Sequence, residues 1–113
     1  MHELGIVYEV IRIVDRFASE HQLTQVTKIV LEIGQLSQAI PCFIEECFSA
    51  AVDNSAYAKT DLEIIVIPAV GICRPCGTEH NVVDTRRRCP ACKSEQFTLK
   101  TGQEFAIKEI VAC

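Results

Sequence analysis

The chain has 113 residues, of which 49% are hydrophobic and 23% are charged, and its formal net charge is −4. This length supports one modest hydrophobic core and leaves little room for a second. The acidic balance disfavours nucleic acid, whose phosphates require a basic surface. No uncharged apolar run approaches the roughly 20 residues that cross a bilayer, and the basic segment of a signal peptide is missing. We therefore expect a soluble, cytoplasmic protein with no membrane insertion.

Two segments have the periodicity of amphipathic helices. In the first, apolar residues recur at steps of three and four over about residues 4–20. In the second, the same spacing runs from Pro41 to about Val52, and proline is well suited to the first turn of a helix. Each segment therefore predicts a helix with one apolar face that can join a core.

Three segments show the alternation of side chains that is typical of strands. The first ends at Gly34, and the second covers 62–66 and stops before Pro68, because proline has no backbone donor. The third covers about 104–111, where Glu109 breaks the alternation and indicates a bulge. We therefore predict a three-stranded sheet.

The order of these elements predicts an α+β fold, with two helices packed on a three-stranded sheet and an inserted four-cysteine zinc-ribbon-like domain. Residues 1–69 and 103–113 are assigned to the α/β domain and residues 70–102 to the insert. The insert has few large apolar side chains, so it cannot rely on a hydrophobic core to hold its shape.

The insert contains two Cys-x-x-Cys pairs separated by twelve residues, a spacing close to that of tetrahedral four-thiolate sites. Gly77 follows the first pair and can take the positive φ that such turns often need, whereas Lys93 occupies the matching place in the second. We predict a structural zinc ion, and a filled thiolate shell leaves no open position for catalysis. Rubredoxin-like iron and redox-active disulfides are the alternatives. The predicted zinc ligands are Cys73, Cys76, Cys89 and Cys92.

A basic run in the insert, Arg86-Arg87-Arg88, supports a different class of function. Such a run can contact phosphates, so the alternative is a zinc-ribbon interaction module that binds nucleic acid or the transcription machinery. However, arginines beside an anionic thiolate cluster also offset its charge, and only Phe97 lies nearby in sequence for base stacking. We therefore favour a protein that does not bind nucleic acid.

The chain opens with Met1-His2-Glu3 and enters its first helix at once. A free α-amine, the next amide nitrogen and the imidazole can lie in one plane about a metal, and square-planar nitrogen coordination favours Ni(II) or Cu(II). From these residues alone, a solvated chain end is the more ordinary interpretation.

Three features together resemble the HypA/HybF family of hydrogenase nickel-incorporation proteins. They are the opening segment 1–4 (Met-His-Glu-Leu), the turn 33–37 (Ile-Gly-Gln-Leu-Ser), and the paired Cys-x-x-Cys insert before a final short strand. They occur in the family's order and spacing. This sequence departs from the family at Gly5, where serine is frequent, and at Gln38, where glycine often follows Leu-Ser, but neither change removes a ligand.

The resemblance implies a nickel site at His2, with backbone nitrogens of His2 and Glu3 and the Met1 amine, as well as zinc at the four cysteines. It implies delivery of nickel to the large subunit of [NiFe]-hydrogenase together with the maturation GTPase HypB. In some organisms it also implies urease maturation, with the accessory protein UreE as partner. We expect no enzymatic activity, because no phosphate-binding glycine loop or nucleophile with a base is evident. A homodimer is left open.

Five other cysteine and histidine residues are not expected to belong to either metal site. Cys42 and Cys47 are five positions apart on a helix and therefore do not converge, so both are interpreted as buried free thiols. His21 is expected near a helix end. His80 is expected in a solvated loop, with an auxiliary metal contact as the alternative. Cys113 is a terminal thiol that is either reactive or paired between chains.

Overall fold

The structure of the protein is a computed structural model that describes residues 2–113, and the chain divides into two compact units. The first unit contains both helices, and the second contains the cysteine-rich segment. None of the helices within residues 2–113 is long and apolar enough to span a membrane. The elements are α1 (His2–Glu20), β1 (Val26–Gly34), α2 (Pro41–Val52), β2 (Asp61–Ile67), β3 (Val70–Cys73), β4 (Glu79–Asn81), β5 (Phe97–Leu99) and β6 (Phe105–Ala112).

Helix α1 begins at His2 and buries one side along its length. The buried apolar residues Val7, Val10 and Val14 recur at steps of three and four, as the sequence predicts. The helix ends where Gln22 takes a left-handed φ of 55° and the N–H of the next residue donates to the Ala18 carbonyl.

The second predicted helix is confirmed, because α2 begins and ends at the predicted residues. Pro41 occupies the first turn, where its missing N–H removes no helical hydrogen bond. Its buried face includes Ile44 and Phe48. The core of the first unit is formed by this face, the buried stripe of α1 and the buried strand residues Ile29 and Leu31. The predicted α+β fold, with two helices and a three-stranded sheet, is confirmed.

The sheet of the first unit has the order β2-β1-β6. At one end the N–H of Gly34 donates to the carbonyl of Glu104, and at the other the N–H of Cys113 donates to the carbonyl of Gln25. Nine residues separate these two contacts on each strand, so the register is kept and no residue is inserted. The predicted bulge at Glu109 is therefore wrong. The alternation of apolar and polar residues breaks there because β6 is an edge strand whose residues are exposed on both faces.

The second unit contains a three-stranded sheet that the sequence did not predict, in the order β4-β3-β5 with antiparallel pairing on both sides. A small core supports it. A Cβ built at Gly71 would lie 2.6 Å from Val82 Cγ1 and 2.9 Å from the Phe97 ring, so the strand and these side chains are closely packed. These strands are only three or four residues long, too short for alternation to reveal them.

The second unit comprises residues Ile33–Ser37 as well as Val66–Glu104, whereas the sequence assigned only 70–102 to the insert. The difference arises because Gln35 is bound into this unit. Its N–H donates to the Ile67 carbonyl, and its side-chain oxygen accepts from the Ala69 N–H and from Asn81 Nδ2, both at 3.0 Å.

Candidate metal centres

The four predicted zinc ligands lie together in the second unit. Their sulfur atoms are all within 4.8 Å of one another. The Sγ–Sγ distance is 3.4 Å between Cys73 and Cys92 and 3.6 Å between Cys76 and Cys89. A tetrahedron with metal–sulfur bonds of 2.3 Å has edges of about 3.8 Å, whereas a disulfide bond is about 2.05 Å long. The arrangement therefore fits one tetrahedral metal ion.

Each Cys-x-x-Cys pair is held by the same two backbone hydrogen bonds. In the first turn, the Gly77 N–H donates to the Cys73 carbonyl and the Cys73 N–H donates to the Thr78 carbonyl. In the second, Lys93 and Ser94 make the equivalent bonds with Cys89. The repeat places both pairs of sulfur atoms at the tips of matching turns, which explains how two short segments form a single site.

The thiols of the cluster differ in acidity. Burial raises the pKa of Cys73 to about 12, although the N–H of Cys76 points at its sulfur and favours the thiolate. Cys76 Sγ lies 3.2 Å from Thr78 Oγ1, and hydrogen bonds from the Thr78 side chain and backbone lower the pKa of Cys76 to about 6. The N–H of Cys92 similarly lowers the pKa of Cys89. The lowered pKa of Cys76 favours its thiolate, which is the form that would hold a metal ion.

Both turns require a left-handed residue after the second cysteine, where Gly77 has a φ of 75° and Lys93 a φ of 67°. This conformation costs a residue with a side chain about 1–2 kcal/mol. We therefore expect Lys93→Gly to raise the free energy of unfolding of the second unit by about 1 kcal/mol. The measurement is thermal unfolding of the metal-loaded protein, together with its resistance to a chelator.

Lys93→Ala is the matched control for this prediction, because it removes the same charge but keeps the cost of the left-handed conformation. Equal stability of Lys93→Gly and Lys93→Ala would show that the turn is not strained at this position.

Arginines near the cluster bind neighbouring side chains. Arg74 Nε donates to Thr98 Oγ1, and Arg88 pairs with Glu95 at 3.2 Å. Arg86 and Arg87 adopt left-handed φ values of 54° and 65° in the turn before the second cysteine pair. The basic run is thus bent into a tight turn beside the thiolates.

The second candidate site lies at the start of the chain. His2 is exposed and is the first residue of α1, and it lines an apolar cavity of about 720 Å³ between α1 and β6. Glu3 is buried, with 9% of its surface exposed, which was not predicted from the sequence. The predicted contribution of the Met1 amine lies outside the described residues.

Two of the residues that were not expected to bind metal differ in exposure from what the sequence predicts. Cys47 is buried as predicted, but Cys42 is exposed because it lies on the outer side of α2. His80 is buried rather than solvated. Its Nδ1 lies 2.7 Å from Thr85 Oγ1, and the Thr85 hydroxyl donates to the Asn81 carbonyl, so the threonine oxygen accepts a hydrogen bond from the Nδ1–H of His80. His80 therefore anchors the loop between the cysteine pairs.

Sequence reasoning missed two residues that shape these sites. Thr78 sets the acidity of Cys76, and Gln35 joins the turn 33–37 to the second unit. The only available signal for Thr78 was its position directly after a Cys-x-x-Cys-Gly turn, and Gln35 could be noticed only as part of the family's motif.

The comparisons with known proteins all point to one family. A family model described as "Hydrogenase/urease nickel incorporation, metallochaperone, hypA" matches residues 1–112. The hydrogenase maturation factor HypA of Trichodesmium erythraeum is 39% identical over 110 residues, covering 97% of this chain and 94% of the relative. That of Dechloromonas aromatica is 34% identical and covers 97% of both chains.

Two solved structures have the same fold. The solution structure of the Ni metallochaperone HypA from Helicobacter pylori matches with a TM-score of 0.65 at 20% identity, covering 97% of this chain and 96% of that one. A second HypA solution structure matches with a TM-score of 0.70 at 21% identity, covering 100% of this chain and 97% of that one. Because the family model spans nearly the whole sequence, this chain belongs to the HypA family of hydrogenase and urease nickel-incorporation metallochaperones.

Proposed function

We propose that this protein binds Ni(II) at its N-terminus and delivers it during [NiFe]-hydrogenase maturation in the cytoplasm. The observation that carries the proposal is the family match over residues 1–112, combined with an exposed His2 at the first position of α1. The protein carries the ion and catalyses no reaction of its own.

The geometry of a helix start favours a nickel site built from nitrogen atoms. The first N–H groups of α1 have no partner within the helix, so an amide can lose its proton to a metal without breaking a helical hydrogen bond. The imidazole of His2 faces solvent, whereas the Glu3 side chain is buried. The ligand set that we propose is therefore the His2 imidazole, the backbone nitrogens of His2 and Glu3, and the Met1 amine.

For the four-cysteine cluster we propose a structural zinc ion. Zinc prefers four-coordinate thiolate sites, and a filled tetrahedral shell has no position for a substrate or for nickel in transit. When bound, the ion supplies the folding free energy that the small core of the second unit lacks. Cys73, Cys76, Cys89 and Cys92 would hold it.

Delivery requires a site that binds selectively but releases its ion. An exposed terminal site made of few groups can pass nickel by ligand exchange to an acceptor that encloses the metal more fully. We propose the [NiFe]-hydrogenase large subunit as the acceptor and the GTPase HypB as the partner in transfer. The family description also names urease, so UreE is the corresponding partner if this chain serves that pathway.

A peptide extension before Met1 tests the proposed ligand set. The extension leaves the imidazole of His2 intact but converts the α-amine into an amide, so nickel affinity should fall at least about tenfold and recover when the extension is removed. Glu3→Gln should have less effect, because Glu3 contributes through its backbone. Affinity is measured by competition with a nickel chelator, on proteins whose intact mass confirms Met1.

Zinc content is the control for these variants and should be the same in all of them. Equal nickel affinity with and without the extension would remove the Met1 amine from the ligand set while leaving His2 in it.

A further inference from the structure

The helix layer of the first unit is wider than its sheet. Helix α1 shares a cavity with β6 and helix α2 shares one with β2, so the two helices lie over opposite sides of the sheet. Packed helices are about 8–10 Å apart, whereas neighbouring strands are about 4.8 Å apart. Two helices therefore cover about four strands, but this sheet has three.

The unfilled place lies beside β6. This strand is last in the sheet order, and within residues 2–113 no strand pairs with its outer edge. Ile6 and Ile13 of α1 line the cavity of about 720 Å³ together with Phe105 and Ile107 of β6. A second cavity of about 330 Å³ continues past Phe17 along the same strand. We call these two cavities, with the outer edge of β6, the β6 groove.

A fourth strand beside β6 would bury apolar side chains of the groove that are now exposed. Ile13 is 42% exposed and Phe17 is 38% exposed, although both belong to the helix that covers the core. The free edge also presents unpaired backbone N–H and C=O groups, which only another extended backbone can satisfy in series.

We propose that an extended segment of a partner protein adds to β6 as an antiparallel fourth strand and places apolar side chains beneath α1. This inference goes beyond nickel binding and does not depend on it. Because His2 lines the same groove, the bound segment would lie next to the start of the chain.

Charge disfavours a second copy of this chain as the occupant. When an edge strand pairs antiparallel with its own copy in one continuous sheet, the twofold axis passes midway between one residue and the same residue of the copy, so these two face each other. The two registers with the greatest overlap of Phe105–Ala112 are centred on Lys108 and on Glu109. They place lysine opposite lysine or glutamate opposite glutamate, and like charges directly opposite are destabilising.

The same charges specify the partner segment. Lys108 and Glu109 both line the second cavity, and as successive residues of a strand they point to opposite faces of the sheet. A fitting antiparallel segment has apolar residues opposite Phe105 and Ile107, a basic residue opposite Glu109 and an acidic one opposite Lys108. Read along the partner chain, the basic residue directly precedes the acidic residue.

The test uses two blocked synthetic peptides, TVTKEITV and TVTEKITV, which differ only in the order of the two charged residues. Binding to the full chain, without nickel, is followed by NMR shifts and by amide exchange of β6. We expect TVTKEITV to bind about fivefold more tightly or better, because TVTEKITV faces like charges at two positions. The double variant Lys108→Glu with Glu109→Lys should reverse this preference.

A variant pair on α1 tests the groove itself. Ile13→Lys should weaken both peptides, whereas Tyr8→Lys should not, because Tyr8 is exposed on the same helix but does not line the groove. The proposal is overturned if neither peptide binds at millimolar concentration, or if the charge swap leaves the preference unchanged. It is also overturned if sedimentation shows a wild-type dimer that Ile13→Lys dissociates, since the occupant would then be a second copy.

Discussion

Cys73→Ser should release the metal of the four-cysteine cluster and unfold the sheet formed by β3, β4 and β5. Cys73 ends β3 and is fully buried, so its loss removes both a ligand and the point where the strand meets the cluster. Structural zinc contributes about 10–16 kcal/mol of apparent binding free energy in small zinc peptides, which exceeds what a small core can supply. Metal analysis and amide hydrogen exchange measure the two effects.

The first unit should survive this substitution, because its core is built from α1, α2 and β1. Cys42→Ser is the matched control, since Cys42 is an exposed thiol on α2 and should be replaceable without loss of metal. Retention of one metal ion per chain with unchanged exchange across β3–β5 would refute the structural role assigned to the cluster.

Gly34→Ala should be among the most destabilising single substitutions in the protein. A Cβ at Gly34 would collide with the backbone carbonyl group of Gly102 and would lie 2.6 Å from the Gln103 nitrogen. Backbone cannot rotate away as a side chain can, so the two segments would have to separate. The hydrogen bond from the Leu36 N–H to the Gly102 carbonyl, 2.7 Å long, would be strained as well. We expect a loss of about 3 kcal/mol in the free energy of unfolding.

Gly5→Ala is the control, because a Cβ at Gly5 meets nothing within 4 Å. Alanine in a helix is favoured over glycine by about 1 kcal/mol, so this variant should be more stable than the wild type. Urea unfolding of both variants makes the comparison. If Gly34→Ala unfolds at the same urea concentration as the wild type, the close approach of these backbones does not hold the turn in place.

The first unit was predictable because its elements are long enough to show their periodicity. The buried stripe of α1 extends over about four turns, and α2 has a proline at its start. The strands of the second unit are too short for such periodicity to predict them. They are ordered by the matching turns at the cysteines and by the packing of Val82 and Phe97 around Gly71, which depends on residues distant in sequence.

The candidate sites differ in how far sequence could identify them. The spacing of Cys73, Cys76, Cys89 and Cys92 predicts their convergence, because two short turns can present four sulfur atoms to one ion. No local pattern distinguishes His2 from a solvated terminus, so the nickel role proposed for it rests on the resemblance. The burial of Glu3 and His80 was not predictable, because polar residues are ordinarily exposed and their surroundings are set by tertiary packing.

The most direct test of the nickel proposal is a calorimetric nickel titration of untagged, zinc-loaded protein beside its His2→Ala variant. The account predicts one nickel ion per wild-type chain and no measurable binding at the same concentrations in His2→Ala, with equal zinc content and equal thermal stability in both. Equal nickel affinity in the two proteins would contradict the account, because the imidazole of His2 would then have no part in holding the ion.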